Sequence, residues 1–560
     1  MQRIWNIAKT NHKLQNSLTQ DLGISAILAN LLINRGIKDA SEAERFLNPS
    51  IASLHDPYQM PDMPRAVERI RQAIENKEKI LLYGDYDVDG LTALALLESL
   101  FTKQGVKTLH YVPHRVNEGY GLSKEALGFA LTHKVNLIIT VDCGISNAKE
   151  IHELNKHNID VIVTDHHQIS AGSLPECVAV VDPKRPDARY PYKDLAGVGV
   201  AFKLAQCIAG DAFEEALDLV LLGTVADMAP LTGENRILVK RGLEQFCLSK
   251  RPGLKALLEE SGLKSKRIST TSISYILAPR INASGRIDSA QASLELLLTR
   301  SEDRAKDLAG ILTKHNQQRQ KIEKKMLLEA QDLIGKEVNF KEHNVIVVAK
   351  EGWHRGVLGI VASKIMDAFY RPTVVISLSD GICKGSCRSI KNFHIFDALW
   401  DSRDLLENFG GHAHAAGISI IKENVQEFKR RINHVAKNKM LLEDLIPSFD
   451  VDMEVGLGDL SLDLLDDIGR LEPFGSGNPG AIFYTKGLYL KGQPQVMARD
   501  TLKFWCTDGK FTYSAVGFGK GSFYDSLQSA EKFDLIYTPS LDDWRDRQAV
   551  QLEIKDIRFF

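Results

Sequence analysis

KILLYGDYDVDG, residues 79–90, joins a short apolar run to three aspartates at alternate positions and a glycine. Runs of similar length and character recur at VKTLHYV (106–112), NLIITVD (136–142) and IDVIVTD (159–165), most of them separated by helix-length segments. Short β-branched runs alternating with helices predict a parallel α/β sheet. Three of the runs end in aspartate, at Asp85, Asp142 and Asp165. Open parallel sheets bind ligands beyond the carboxyl ends of their strands. Neighbouring strands lie about 4.8 Å apart, so these carboxylates come within reach of a shared metal pair. Anions so crowded repel one another unless cations neutralise them.

Two plainer readings compete. Asp85, Asp87 and Asp89 with Gly90 match the first half of an EF-hand loop. The twelfth position of that loop, which needs glutamate, is Leu96, and a strand rather than a helix precedes it. Asp85 and Asp142 as simple helix caps would leave Asp165-His166-His167 unexplained. The mixed nitrogen and oxygen donors of that triplet suit manganese, zinc or iron better than calcium. Asp227, in VADMAPL (225–231), closes an apolar segment where a buried carboxylate without a cation would be costly.

The 560 residues are enough for about three or four domains. Seventy Lys+Arg against seventy-two Asp+Glu leave a net charge of −2, so nucleic-acid binding requires a local basic groove. Seven cysteines without a CxxC pair argue against a disulfide framework and for a reducing, cytoplasmic setting. The start MQRIWNIAKT has no signal-peptide pattern, and no run approaches the ~18 apolar residues of a membrane span. The expected organisation is an N-terminal helical cap (1–64), an α/β domain with the parallel sheet (65–300), a connecting helix (301–335) with an exposed middle over 313–321, a second α/β domain (336–440) and a β-rich module (448–560). FDVDMEV, AIFYTKGLYL, LKFWCTD, FTYSAVGF, FDLIYTP and AVQLEIKDI read as five or six antiparallel strands, the size of an OB-like β-barrel.

In chain order, GDYDVDG, VDCGIS, VTDHHQ and VADMAPL resemble the four motifs of the DHH phosphoesterase superfamily, and GWHRGVLGIVASKI and GGHAHAAG resemble its DHHA1 companion domain. With APRINASGR and LEPFGSGNP, the arrangement over about residues 60–560 is similar to that of the superfamily's bacterial single-strand-specific 5′-to-3′ DNA exonucleases. The resemblance implies two divalent ions, manganese first and magnesium as the alternative, held by Asp87, Asp89, Asp142, His166 and Asp227 with Asp142 bridging. Relatives acting on small substrates place a histidine four positions before the first motif aspartate, where this chain has Tyr83, so Asp85 or water would complete one shell. His167 would orient a ligand or contact the scissile phosphate. Such a metal pair suits hydrolysis by an activated water, which would release 5′-mononucleotides without a covalent intermediate.

GGHAHAAG offers backbone N–H groups for close phosphate approach, with His412 to donate to a phosphoryl oxygen and His414 as a bystander. CKGSCRSI (383–390) places Ser386 and Arg388 on one strand face, and the resemblance makes them candidates for the DNA 5′-phosphate. Cys383 and Cys387 lack the partner cysteines of a zinc site. Arg115 is either a phosphate clamp or half of a surface ion pair. Arg280, Asn282 and Arg286 fall in an expected irregular stretch, where two guanidiniums could track a backbone. Trp353, His354 and Arg355 precede an expected helix, whose N-terminus favours an anion. Among Phe504, Trp505, Tyr513, Phe518 and Trp544, one or two are expected to stack on bases.

The competing functions are a phosphodiesterase for short oligonucleotides or cyclic dinucleotides and a DNA-binding scaffold without activity. The expected substrate is single-stranded DNA with a free 5′ end, handled by a monomer. The resemblance adds a single-strand-binding protein and a RecQ-type helicase as partners.

Overall fold

In the computed structural model, residues 3–169, 174–210, 213–264, 266–542 and 548–560 are described. Strand β1 (Ile4–Ile7) is followed by β2 (Ile80–Gly84), β3 (Leu109–Tyr111), β4 (Leu137–Val141), β5 (Asp160–Thr164) and β6 (Ala179–Val181). The last five form one sheet in the order β3-β2-β4-β5-β6, with every pairing parallel. β2, β4 and most of β5 are buried throughout, as expected for central strands covered on both faces. The sequence signals four of these strands; β6 is only AVV, too short for a pattern to show.

The helix Glu302–Glu337 spans 36 residues, roughly 54 Å at the α-helical rise. Its middle is not simply exposed. Asn316 and Glu323 are buried there and both hydrogen-bond Arg319, so a polar ladder replaces the missing apolar stripe. APRINASGR is not irregular either; Ala278–Ile287 is a helix. Helical backbone already runs through Thr270–Ser272 and the π-helical turn Ile273–Leu277, so Pro279 lies within a continuous helical stretch, just after the wider turn that accommodates its missing N–H.

Beyond the long helix, β7 (Ile346–Glu351), β8 (Thr373–Leu378), β9 (Ile382–Arg388), β10 (Leu406–Gly411) and β11 (Ala415–Ile421) form a mixed sheet in the order β10-β11-β9-β8-β7. On β9 the buried Cys383 and Cys387 enter the core while Ser386 and Arg388 take less buried positions, the alternation of a half-buried strand.

Both sheets belong to one compact unit, His55–Ala229 with Arg241–Pro447; the other comprises Met1–Leu54, Pro230–Lys240 and Ser448–Phe560. In this second unit β12 (Ser448–Val451) pairs with β1, and β13 (Met453–Glu454) pairs with β14 (Phe483–Met497). With β15 (Thr501–Thr507), β16 (Thr512–Gly517), β17 (Phe533–Asp542) and β18 (Ala549–Phe559), β14 closes a five-stranded barrel through its pairing to β17. The expected all-antiparallel pattern is corrected at β16 and β18, which run parallel, and FDVDMEV contributes no barrel strand. The N-terminal residues are no separate cap over 1–64: Leu18, Leu28, Leu32 and Leu47 share one core with Phe483, Phe504 and Phe533.

Arg236 holds this second unit together. Its guanidinium is buried, lies 3.8 Å over the Phe46 ring and donates to the carbonyls of Phe46, Leu471 and Glu472. Arg236→Ala should cost at least ~3 kcal/mol by leaving several buried acceptors unpaired, read as a lower urea midpoint. Arg236→Lys should recover only part, because an ammonium cannot reproduce the fork.

Candidate active site

The registers place Gly84, Val141 and Thr164 side by side, with Val181 next to Thr164. The residues that follow, Asp85, Asp142, Asp165 and Asp182, therefore stand in a row at the carboxyl edge. Backbone bonds carry the ladder one step past the strands, as in Asp142 N–H to Thr164 C=O at 3.0 Å and Asp165 N–H to Val181 C=O at 3.1 Å. Asp142 takes a left-handed conformation with φ 59°, an uncommon one for a side-chain-bearing residue that aspartate tolerates best. Asp87 caps the helix Val88–Lys103 by accepting from Asp89 N–H and Gly90 N–H. Gly90 is obligatory: a Cβ there would lie 2.6 Å from the backbone N and O of Asp85. Asp89 accepts from Gly197 N–H and Val198 N–H at 2.7 and 2.8 Å, fixing the first turn of the helix Gly197–Ala209 beneath the site.

Three ligand clusters result, each with its donor atoms within 4.8 Å of one another: Asp85/Asp87/Asp142, Asp89/His166/Asp227 and Asp142/His166/His167. Asp142 belongs to two of them. Its Oδ1 lies 3.0 Å from His166 Nε2, yet the two are not aligned as a hydrogen bond, and both buried atoms lack a partner. Asp85 Oδ1 is likewise buried and unpartnered. Orphaned carboxylate oxygens facing an orphaned imidazole nitrogen are what a divalent cation would satisfy, so the residues fit the expected metals. Tyr83 gives its hydroxyl to the Gly121 carbonyl at 2.7 Å, so its polar group is already engaged. Asp165 is spent differently. It accepts from the backbone N–H groups of Ile145, His166 and His167 and from His167 Nδ1, so it orients the second histidine.

Burial, then the Asp87 charge, raises Asp85 well above the usual carboxylate range and Asp89 to about 7. Asp142 is raised by burial and then by Asp89, Asp87, Asp85 and Asp227. Asp227 is not buried as expected from the sequence but exposed at the mouth of the site. Its carboxyl still rises, through partial desolvation in the concave site and then the Asp89 charge. Burial pushes His166 down to about 3, leaving it a neutral donor. His167 is lowered by burial, but the Asp165 hydrogen bond outweighs this and raises it to about 9.

The second sheet faces this edge through the β10–β11 hairpin. The His412 ring stacks 6.3 Å from His167, with planes 15° apart. Gly411 makes the turn at φ 142°, where a Cβ would lie 2.3 Å from the Ala415 carbonyl. A cationic group flanks the Asp85/Asp87 side. Arg286 donates to Gly356 C=O at 3.1 Å, and burial followed by repulsion from Arg115, Arg319 and Arg388 pushes it down to about 9. Arg115 lies 4.6 Å over the Tyr86 ring. Arg388 donates to Ser386, and both pack on Gly359 in the first turn of the helix Leu358–Phe369, a ready anion position.

The structure thus gathers Asp85, Asp87, Asp89, Asp142, His166, His167, Asp227 and His412 at the centre, with Arg115, Arg286, Ser386 and Arg388 beside them. Arg280 behaves otherwise: it donates to Ile276 C=O, and the charged group influencing it is Glu260. Asn282 braces the acidic loop by accepting from Val88 N–H. His354 accepts from Gly356 N–H, and Arg355 reaches Ser379. His414 uses its backbone carbonyl to hold Ser389 N–H, while its side chain is exposed. Sequence reasoning missed Tyr120, whose hydroxyl bridges His167 Nδ1 and the Asp142 carbonyl at 3.0 and 3.2 Å. It also missed Arg319, hidden in the long helix, where no motif marks it. Of the barrel aromatics, Phe504 is core, Tyr513 bonds the Leu460 carbonyl, Trp505 and Phe518 are exposed, and Trp544 lies outside the described residues.

The DHH family N-terminal domain matches residues 79–224, the DHHA1 domain 342–438 and the RecJ OB domain 451–556. The chain is 38% identical over 555 residues to the single-stranded-DNA-specific exonuclease RecJ of Bacillus subtilis, covering 99% of this chain and 70% of that one. It is 33% identical over 566 residues to the protein of the same name from Escherichia coli, covering 95% of each. The crystal structure of RecJ in complex with Mn2+ from Thermus thermophilus superposes with a TM-score of 0.85 at 29% identity, covering 99% of this chain and 79% of that one.

Carboxyls held above their ordinary range must shed protons to take up a cation. Titration with Mn2+ should therefore release protons, seen as a buffer-dependent binding heat, and affinity should strengthen between about pH 6 and about pH 8. Asp142→Ala should weaken binding at the two clusters that share it, Asp85/Asp87/Asp142 and Asp142/His166/His167. Binding without proton release and independent of pH would contradict the arrangement.

Proposed function

Because this chain belongs to the RecJ family, we propose that it is a metal-dependent exonuclease that digests single-stranded DNA from the 5′ end, releasing 5′-mononucleotides in DNA repair and recombination. The observation that carries the site assignment is the row of buried carboxylates with orphaned oxygens at Asp85 and Asp142, the latter 3.0 Å from the unpartnered Nε2 of His166.

In this reading Asp85, Asp87, Asp89, Asp142, His166 and Asp227 hold two divalent ions, manganese or magnesium. Bound there, the ions would lower the pKa of a water and offset charge on the attacking and leaving oxygens. The water oxygen bonds to phosphorus as the bond to the 3′ oxygen of the terminal nucleotide breaks. His167, held by Asp165, offers an N–H to the phosphate. His412, stacked beside it, donates to a phosphoryl oxygen from the opposing hairpin. Ser386 and Arg388, seated on a helix N-terminus, receive the 5′-phosphate, with Arg115 and Arg286 supporting the charge. Arg280, Asn282, His354 and Arg355 act around this core, Asn282 through the acidic loop. The proposed setting is the cytoplasm, with a monomeric enzyme working beside a single-strand-binding protein and a RecQ-type helicase. Among the described residues no helix is long and apolar enough to cross a membrane.

A digest of 5′-labelled and 3′-labelled strands with and without Mn2+ tests activity, polarity and cofactor together. A blunt duplex should resist while a duplex with a 5′ single-stranded tail is degraded; equal rates would contradict the strand selectivity. Asp142→Ala should abolish cleavage with the fold retained, and His412→Ala should be more damaging than His414→Ala.

The barrel's part is best tested by point substitution. Truncation after Lys439 would strip Leu18, Leu28 and Leu32 of their shared core. Trp505→Ala and Phe518→Ala should each weaken binding of long strands by about 1–3 kcal/mol if the exposed rings stack on bases. Unchanged affinity in both would remove the barrel face from the DNA path.

A further inference from the structure

The turn Val181-Asp182-Pro183-Lys184-Arg185 follows β6 and is fixed on both sides of the lysine. Asp182 is fully buried and accepts from Lys184 N–H at 2.7 Å. Arg185, also buried, donates to Asp62, Asp187 and the Val180 carbonyl. Lys184 between them is half-buried, and its ammonium makes no hydrogen bond or ion pair among the described residues. An ammonium without a protein partner among the described residues, carried on a turn whose two neighbours are fixed by hydrogen bonds, is free to meet a ligand anion.

Its position is set by the sheet. Thr164 pairs with Val181, so Lys184, three residues past β6, runs alongside His166 and His167, two and three residues past β5. Its charge reaches three different elements around the metal centre. Behind burial and His167, it is among the influences that depress His412; behind burial and other neighbours, it also acts on His166 and Asp227. These groups sit on the β5 end, the end of the helix Leu217–Ala226 and the β10–β11 hairpin, and the parallel register of β5 and β6 sets the turn that carries Lys184 beside the first of them.

We propose that Lys184 is a substrate-contacting residue whose ammonium binds a non-bridging oxygen of the scissile phosphate. The inference rests on the nuclease reading above. Charge balance calls for such a group. Asp85, Asp87, Asp89, Asp142 and Asp227 with a phosphodiester carry six negative charges, against four from two divalent ions. The sheet order puts Arg115, which follows β3, at one edge and Lys184 at the other. The arginines therefore serve the Asp85/Asp87 side, and Lys184 serves the side of His166 and Asp227.

The test compares wild type with Lys184→Met and Lys184→Arg, using a 5′-phosphorylated dinucleotide and a long single strand in Mn2+. On both substrates Lys184→Met should lower kcat on the order of 10²-fold, with KM nearly unchanged and no rescue by added Mn2+. Lys184→Arg should keep most of the turnover. Removing a cation beside Asp227 and His166 should leave the Mn2+ requirement equal or lower. Three results would overturn the proposal: wild-type kcat in Lys184→Met; a defect confined to KM on the long strand, which means a phosphate farther along; or recovery at high Mn2+, which means a role in holding metal. Circular dichroism checks folding, and Lys184→Gln takes the place of Lys184→Met if the methionine variant misfolds. Failure of the wild type itself to digest single strands would refute the nuclease reading instead.

Discussion

Mutual repulsion among buried carboxylates is the constraint from which the rest of the catalytic unit follows. Parallel pairing in register brings Asp85, Asp142 and Asp165 to one edge. The helix Val88–Lys103 adds Asp87 and Asp89. Such a cluster is unfavourable by itself, since burial and mutual charge hold Asp85 and Asp142 well above the usual carboxylate range. The fold offsets part of this with backbone donors, two on Asp89 and three on Asp165. It leaves Asp85 Oδ1, Asp142 Oδ1 and His166 Nε2 without partners. Affinity for divalent cations is thus part of the stability of the site rather than an addition to it.

The same logic explains why the site lies between two α/β modules of one unit. A polyanionic strand approaching five aspartates needs positive charge that does not neutralise those aspartates directly. Arg115, Arg286, Arg319 and Arg388 provide it from the β3 edge, the helix Ala278–Ile287, the long helix and β9. Burial first and then their crowding depress Arg286, the mirror image of the raised carboxylates, and an anion between them would relieve the repulsion. Glu323, bonded to Arg319 and Lys364, keeps one of these guanidiniums oriented on a helix face that would otherwise be exposed.

Much of this was legible in the sequence because the acidic strand ends are local features. Each aspartate follows its own apolar run, and strand spacing does the remaining work. The barrel aromatics were legible as a class, but burial separates Phe504 from Trp505 by one step of alternation, whose phase needs the register. What could not be read depends on long-range placement. Arg319 looks like any charged residue of an exposed helix, and Tyr120, in the segment after β3, meets His167 47 residues farther along the chain. The APRINASGR helix differs from the expectation because proline and glycine ordinarily signal breaks, whereas here a π-helical turn over Ile273–Leu277 precedes Pro279 and Gly285 lies in the last turn. The N-terminal segment was misassigned because its partners lie more than 400 residues away, as in Asn34 to Asp452.

The proposed chemistry links the two charged halves of the cleft. Breaking the bond to the 3′ oxygen leaves the phosphate on the shortened strand, so every turnover creates a new 5′-phosphate. That group has the same chemistry as the one Ser386 and Arg388 would receive at the start. Advancing the strand by one nucleotide would bring the fresh phosphate from the metal-binding carboxylate row to the arginine side. There guanidiniums and a helix N-terminus offer an anion the compensation that the cations would give at the carboxylates. In the proposed reading, a site arranged in that order would admit the 5′ end as substrate and return the shortened strand to the same register.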